Sequence, residues 1–120
     1  MPRERRLRRS GDIQALRRRG SSQPHFLVTL RAARNSLPYS RFGFVVGRRV
    51  AKAAVARNLL RRRMREVVRR AGVREGWDLL YIARPPAAMA DFEGVRQAVM
   101  EVTQRADLLV GPEKGSDEKR

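Results

Sequence analysis

The chain of 120 residues contains no cysteine, which excludes disulfide bonds and cysteine-ligated metal sites. This absence is compatible with a reducing cytoplasm, where we expect the protein to act. His25 is the single histidine, so a second imidazole for a histidine-based metal site is missing as well. We therefore expect His25 to be a structural or surface residue, and we expect no metal bound by the protein alone.

Long apolar stretches are also missing, because no run approaches the ~20 residues that a membrane span requires. The basic segment 1–9 is not followed by an apolar stretch, so export is not expected. No two carboxylates form a recognisable catalytic pair, since Asp78 and Asp91 stand where elements are expected to begin. The glycine-containing segment 42–47 matches no phosphate-binding loop. We therefore expect no catalytic residue in the protein itself.

What the chain has in abundance is positive charge, with a formal net charge of +16. Such a charge attracts polyanions, with nucleic acid as the first candidate and an anionic membrane surface as the second. The charge is concentrated in two blocks. Residues 1–20 contain eight arginines against two acidic residues, and residues 48–70 contain ten basic residues against Glu66 alone. Residues 71–120 have a net charge of −2, so the segregation indicates a binding surface.

Hydrophobic periodicity and turn residues predict an α+β domain with one sheet and packed helices. We expect strands at 26–31, 41–46 and 77–83, and loops at 21–24 and 33–40. We expect a first helix from an N-cap at Ser10 to Gly20, a long helix over 54–71, and a last helix capped by Asp91. The domain organisation is then a flexible basic arm at 1–9, a single domain at 10–110 and a disordered tail at 111–120.

The long helix is amphipathic. Leu60, Met64, Val67 and Ala71 form a narrow apolar stripe, and most basic residues lie on the opposite side, with Glu66 on a different flank. Like charges on neighbouring helical positions destabilise a helix by ~0.2–0.5 kcal/mol per pair, so an external polyanion is the expected reason for them. A helix-turn-helix is not indicated, because a strand and a basic loop precede this helix. Shape-driven RNA binding suits a rigid helix better.

Segments 41–50 and 52–66 resemble the bacterial ribonuclease P protein component. They contain a strand followed by two basic residues, a link of small residues and a helix that opens with Arg57 and Asn58. Leu59 stands where the Arg-Asn-Arg motif of that family has its second arginine. The segment from Arg6 to Gly20 and the run Ala83-Arg84-Pro85 also match, so the resemblance spans about residues 6–109.

The resemblance implies a two-layer αβββαβα sandwich with a left-handed βαβ crossover around the basic helix, a fold shared with a ribosomal-protein domain. The fourth strand is inferred from the family alone. The implied partners are one catalytic ribonuclease P RNA per protein and precursor tRNA. That RNA, with Mg²⁺ bound mainly by the RNA, hydrolyses the bond that releases the 5′ leader.

The resemblance also implies two sets of site residues. The first set is expected to contact the catalytic RNA: Arg48, Arg49, Lys52, Arg57, Asn58, Arg61, Arg62, Arg65 and Arg69. The second set is expected near a leader-binding cleft between the first helix and the sheet: Ile13, Arg17, Thr29, Phe26 and Phe44. The family commonly has aromatic residues near the positions of Ile13, Arg17 and Thr29, and this chain has none there. Phe26, Phe42 or Phe44 could substitute, although a core position is the first expectation for each.

Three other functions are compatible with the charge and size. A structural or ribosomal RNA-binding protein would bind RNA without processing it. A DNA-compacting or transcription protein would prefer duplex DNA. A stand-alone nuclease would cleave without an RNA partner, and the sequence offers no residues for that chemistry.

Overall fold

The computed structural model describes residues 3–7 and 9–110, and their element order is αβββαβα, as the resemblance implies. The helices and strands are α1 (Ser10–Arg19), β1 (Ser21–Gln23), β2 (Val28–Arg34), β3 (Arg41–Val45), α2 (Ala54–Ala71), β4 (Trp77–Ala83) and α3 (Phe92–Arg105). Short 3₁₀ turns lie at Arg3–Arg5 and Pro85–Met89. None of the described helices is both long enough and apolar enough to cross a bilayer.

The four strands form one sheet in the order β1-β2-β4-β3. β4 runs antiparallel to β2 and parallel to β3, so β3, α2 and β4 form a βαβ crossover between neighbouring strands. The handedness of this crossover stays a prediction. The central position of β4 explains its nearly continuous apolar sequence, because both faces of this strand are covered over residues 79–81.

One face of the sheet packs against α2 and α3 and contains the main core. Leu30 and Tyr81 point from the sheet to this side and meet Met64 of α2 and Val99 of α3, all four fully buried or nearly so. The Tyr81 hydroxyl lies 2.7 Å from Thr103 Oγ1, and Thr103 Oγ1 donates to the Val99 carbonyl at 2.7 Å. Burial raises the pKa of the Tyr81 phenol, so it remains a neutral hydrogen-bonding group of the core.

The opposite face carries a smaller apolar cluster beneath α1. Leu16 of α1, Leu80 of β4 and Leu7 form this cluster, and all three are buried. The helices therefore lie on both sides of the sheet, with α2 and α3 on one side and α1 on the other. This arrangement leaves part of the α1 side open, because one helix of ten residues covers only part of a four-stranded sheet.

Several boundaries differ from the sequence prediction. The expected loop at 21–24 contains β1, a three-residue polar edge strand that exists because its backbone pairs with β2, with Ser21 opposite Ala32. β2 begins at Val28 and continues to Arg34, because it also pairs with β4 along its whole length. Ser10 is the first helical residue of α1 and not its cap. Asp91 is confirmed as a cap, because its carboxylate accepts the Gly94 N–H at 2.8 Å.

The prediction of a flexible arm at 1–9 is wrong for residues 5–7. The Leu7 N–H donates to the Phe42 carbonyl at 2.7 Å, and the Leu7 side chain is buried. Arg5 donates to both oxygens of Glu75 and lies over the Tyr39 ring. One apolar residue thus holds a basic segment against β3. Residues 1, 2 and 8 of this arm, and the predicted tail at 111–120, lie outside the described residues.

We expect Gly43→Ala to destabilise the fold by about 1–3 kcal/mol, the usual cost of overpacking. An added Cβ would lie 2.9 Å from Leu80 Cδ1 and 3.3 Å from Leu7 Cβ, so the cluster under α1 would have to shift. Gly47→Ala is the matched control, because nothing lies within 4 Å of its added Cβ. The measurement is the urea midpoint of both variants, and equal midpoints would contradict the close packing of this cluster.

Candidate nucleic-acid interface

Helix α2 presents its cations to solvent because its apolar stripe is held against the core. Leu60, Met64, Val67 and Val68 are its buried residues, and no acidic residue stands in its first turn. Nine side chains of α2 and of the loop before it are the predicted contacts. Six of them are exposed: Arg48, Arg49, Lys52, Asn58, Arg62 and Arg69. Arg57, Arg61 and Arg65 are half-buried.

Glu66 pairs with two arginines of its own helix. Its carboxylate accepts hydrogen bonds from Arg69 at 2.6 Å and from Arg70 at 2.8 Å, and these two donors hold the pKa of Glu66 below its ordinary value. The expectation that Arg69 lacks an acidic partner is therefore wrong. The helical angle separates Glu66 from the basic side, but long side chains at i+3 and i+4 reach across that separation.

Arg57 and Asn58 form hydrogen bonds at the N-terminal end of α2. The Arg57 guanidinium donates to the carbonyls of Ala51 and Lys52, at 3.1 and 2.6 Å. This fastens the basic loop to the first turn of α2. Asn58 Oδ1 accepts a hydrogen bond from Arg61. These partners are neutral, and no carboxylate in the described part of the chain forms an ion pair with Arg57 or Arg61.

Arg65 is half-buried and lies over an aromatic ring of the sheet. Its guanidinium stands 5.5 Å from the centre of the Phe44 ring, and Phe44 is stacked in turn on Tyr81, with 5.6 Å between ring centres. Arg65 Nε is buried and has no hydrogen-bond partner among the described residues. Burial lowers the pKa of Arg65, and the nearby charges of Arg6 and Arg61 lower it further. The three arginines thus form a cationic cluster that lacks an acidic partner within the described part of the chain.

Sequence reasoning did not identify Arg6 as a member of this cluster, because it assigned residues 1–9 to a free arm. The position is fixed by a β-bridge between Arg6 and Phe42, next to the buried Leu7. A single leucine within an arginine-rich segment was the available indication. The expectation that Phe44 lies in the leader-binding cleft under α1 is wrong. Phe44 lies on the other side of the sheet, where it packs against the main core and α2.

Of the remaining candidates for the leader-binding cleft, three lie on the α1 side of the sheet and one, Phe26, lies in the link before β2. Thr29 lies opposite Ile82 in the strand register, and Ile82 packs against the cluster under α1, as Ile13 does. These residues therefore share the α1 side of the sheet, and Arg17 is exposed on α1 itself. Phe26 is 73% exposed in the link before β2, so the expectation of a core position is wrong for it.

Two other ionisable groups, Arg41 and His25, have structural partners. Arg41 binds Asp78 through two hydrogen bonds of 2.9 and 2.7 Å, and this contact raises the pKa of Arg41. His25 Nδ1 accepts the Leu27 N–H at 3.0 Å, which explains the histidine as a turn residue. Within residues 3–7 and 9–110, no group of three histidine, cysteine or acidic side chains could hold a metal ion.

Comparisons with known proteins agree on one family. The model of the family Ribonuclease P matches residues 1–107. The ribonuclease P protein component of Roseiflexus castenholzii is 40% identical over 92% of this chain and 93% of its own length. That of Herpetosiphon aurantiacus is 35% identical over 100% of this chain and 98% of its own.

Two solved structures have the same fold. The RNase P protein of Thermotoga maritima aligns with a TM-score of 0.75 at 30% identity, covering 83% of this chain and 96% of that one. The RNase P protein of Staphylococcus aureus aligns with a TM-score of 0.80 at 23% identity, covering 88% and 97%. The expected α+β fold is thereby confirmed.

We expect the position of Arg6 to depend on pH, because its neighbour Arg5 pairs with Glu75. The pKa of Glu75 is lowered, chiefly because Arg5 donates to its carboxylate. A carboxylate whose pKa is lower in the folded than in the unfolded protein stabilises the folded state at pH values above its unfolded pKa. This stabilisation is lost as the pH falls through the lowered pKa of the folded state. We expect the protection of the Leu7 amide against hydrogen exchange to decrease below about pH 4.

The substitution Glu75→Gln should reduce this protection at pH 7 by roughly twofold to fivefold, the range for an exposed ion pair. Glu93→Gln is the control, since it removes an equivalent exposed pair with Arg96 on α3. An equal protection factor for Leu7 in both variants would show that Glu75 does not hold the segment.

Proposed function

The chain belongs to the ribonuclease P protein family, and from this premise we propose that it is the protein subunit of ribonuclease P. In this role it binds the catalytic RNA and the 5′ leader of precursor tRNA in the cytoplasm. The RNA and its Mg²⁺ ions carry out the phosphodiester hydrolysis. The protein contributes binding and charge, and no side chain of its own takes part in the chemistry.

The cluster of Arg6, Arg61 and Arg65 is the observation that carries the proposal. The charges of Arg6 and Arg61 each repel that of Arg65, and within the described residues no carboxylate forms an ion pair with any of the three. A phosphodiester of a folded RNA would supply the missing negative charge through charge-assisted hydrogen bonds, which are roughly twice as strong as neutral ones. Stacking on Phe44 holds Arg65 in place before the RNA arrives, so less side-chain entropy is lost on binding.

The loop before α2 extends this surface. Arg48, Arg49 and Lys52 are exposed, and none of them forms an ion pair within the described residues. Because Arg57 fastens this loop to α2, the loop and helix present their charges as one rigid surface. Neutralised phosphates release counterions, so we expect affinity for the RNA to fall steeply with salt.

The open α1 side of the sheet is the proposed position of the leader. Ile13 and Thr29 lie on this side, and Arg17 stands beside them on α1. Because mature tRNA has no leader, contacts made there favour precursor over mature tRNA. The positive surface also reduces the repulsion between RNA segments, which should lower the Mg²⁺ concentration that the catalytic RNA requires.

We expect Arg65→Ala to weaken binding of the catalytic RNA by about tenfold or more, since a hydrogen bond to a charged group contributes ~1.5–3 kcal/mol. The slope of log affinity against log salt should decrease by about one. Arg96→Ala is the matched control, because Arg96 is bound by Glu93 on α3. Filter binding across a potassium chloride series measures both quantities, and an equal loss for Arg96→Ala would contradict a specific role for Arg65.

Reconstitution tests the function as a whole. Adding the protein to its cognate catalytic RNA should tighten binding of precursor tRNA relative to mature tRNA and shift cleavage to lower Mg²⁺. The proposal fails if neither quantity changes. Sequencing the RNA that co-purifies with the protein separates the alternatives, since a structural or ribosomal protein would bring down ribosomal RNA. Cleavage by the protein after all RNA is removed would indicate a stand-alone nuclease.

A further inference from the structure

The α1 side of the sheet has an open row of three side chains. Thr29, Ile82 and Val45 stand side by side across β2, β4 and β3, because Thr29 pairs with Ile82 and Ile82 pairs with Val45. All three are half-buried. Toward the other end of the strands, Leu16 and Leu80 fill the space beneath α1. The row therefore lies beside α1, where the leader-binding cleft between the first helix and the sheet is expected, and it would form the floor of that cleft.

The cleft floor is aliphatic. The apolar cluster on this side contains only leucine, isoleucine, valine and alanine side chains. Phe42 and Phe44 belong to the opposite side, where they pack with the main core. A nucleobase bound over this floor would consequently find no aromatic ring of the cluster on which to stack, although stacking contributes ~1–3 kcal/mol per base where a ring is present.

Arg31 supplies a fixed cation at this cleft. It follows Thr29 by two residues on β2, so both side chains point to the α1 side. Its Nε donates to the Leu16 carbonyl at 3.3 Å, near the C-terminal end of α1 where a cation is favoured. Its two terminal nitrogens have no hydrogen-bond partner within the described residues, and no acidic group there pairs with it.

We propose that Arg31 is a specificity-determining residue that binds the sugar-phosphate backbone of the leader in this cleft. The aliphatic floor then supports the ribose and base edges without selecting among bases, and the Thr29 hydroxyl offers a neutral hydrogen bond beside the phosphate. The chain therefore recognises the presence and charge of a single-stranded leader and is indifferent to its base sequence. This inference rests on the proposed function.

A purely structural role for Arg31 would give a different result. If Arg31 only joined β2 to α1, its loss would lower stability and reduce the affinity for precursor and mature tRNA to the same extent. A phosphate contact changes the affinity for precursor alone. The ratio of the two affinities is therefore the quantity to measure, and the holoenzyme reconstituted from the whole protein and its catalytic RNA is the material.

The experiment compares Arg31→Gln, Arg31→Lys and Arg34→Gln. Arg34 is the matched control, since it lies on the same strand with its guanidinium over the Trp77 ring on the opposite side of the sheet. We expect Arg31→Gln to weaken precursor binding about tenfold, in line with the loss of a charge-assisted contact. Mature tRNA should bind as before, Arg31→Lys should recover most of the affinity, and Arg34→Gln should have no effect.

Two leader chemistries complete the test. All-uridine and all-adenosine leaders should bind the wild-type holoenzyme within about twofold of each other, because no ring of the cleft distinguishes them. A leader with neutral methylphosphonate linkages should bind weakly and should abolish the difference between wild type and Arg31→Gln.

The outcomes separate this inference from the function on which it rests. If the wild-type holoenzyme does not prefer precursor over mature tRNA, the proposed function itself fails. If it has that preference and Arg31→Gln retains it, only the role of Arg31 is overturned. A large difference between the uridine and adenosine leaders would likewise overturn recognition through the backbone.

Discussion

Burial of β4 on both faces is the constraint on which the rest of the structure depends. Leu79, Leu80 and Tyr81 are consecutive and fully buried, so their alternating side chains require cover on both sides of the sheet. α2 and α3 cover Leu79 and Tyr81, and α1 with Leu7 covers Leu80. The basic helix and the cleft thus lie on opposite sides of one strand. Their separation is a consequence of how that strand is buried.

The distribution of acidic residues differs between the two helices on the core side, α2 and α3. On α3, Glu93 pairs with Arg96 and Glu101 pairs with Arg105, so the exposed charges of this helix are compensated locally. On α2, Glu66 is the only acidic residue, and both of its partners lie near the C-terminal end. The repulsion among the remaining cations is tolerated because the buried stripe of α2 holds the helix in place. A bound polyanion would stabilise the folded state by relieving that repulsion.

Helices and strands could be predicted from the sequence where a single hydrophobic period ran through the whole element. The bounds of α2 agree with the prediction because its apolar stripe repeats with the helical period and ends before Gly72, which has a positive φ of 69°. β1 was missed because its three polar residues carry no strand preference and depend on their pairing with β2. The pairing of Arg69 with Glu66 was missed because helical angles describe Cα positions and not the reach of long side chains. Arg31 could be assigned only after the register showed which side of the sheet it faces.

Two neighbouring residues of β3 connect the two surfaces. Phe44 points to the α2 side and supports Arg65, while Val45 points to the α1 side and forms part of the cleft floor. β3 then leads directly into the basic loop, which Arg57 fastens to α2. The basic surface and the proposed leader cleft are consequently fixed to the same strand, on opposite sides of one sheet. Because both surfaces depend on β3, a substitution that shifts β3 should disturb both together, whereas substitutions on either surface should act separately.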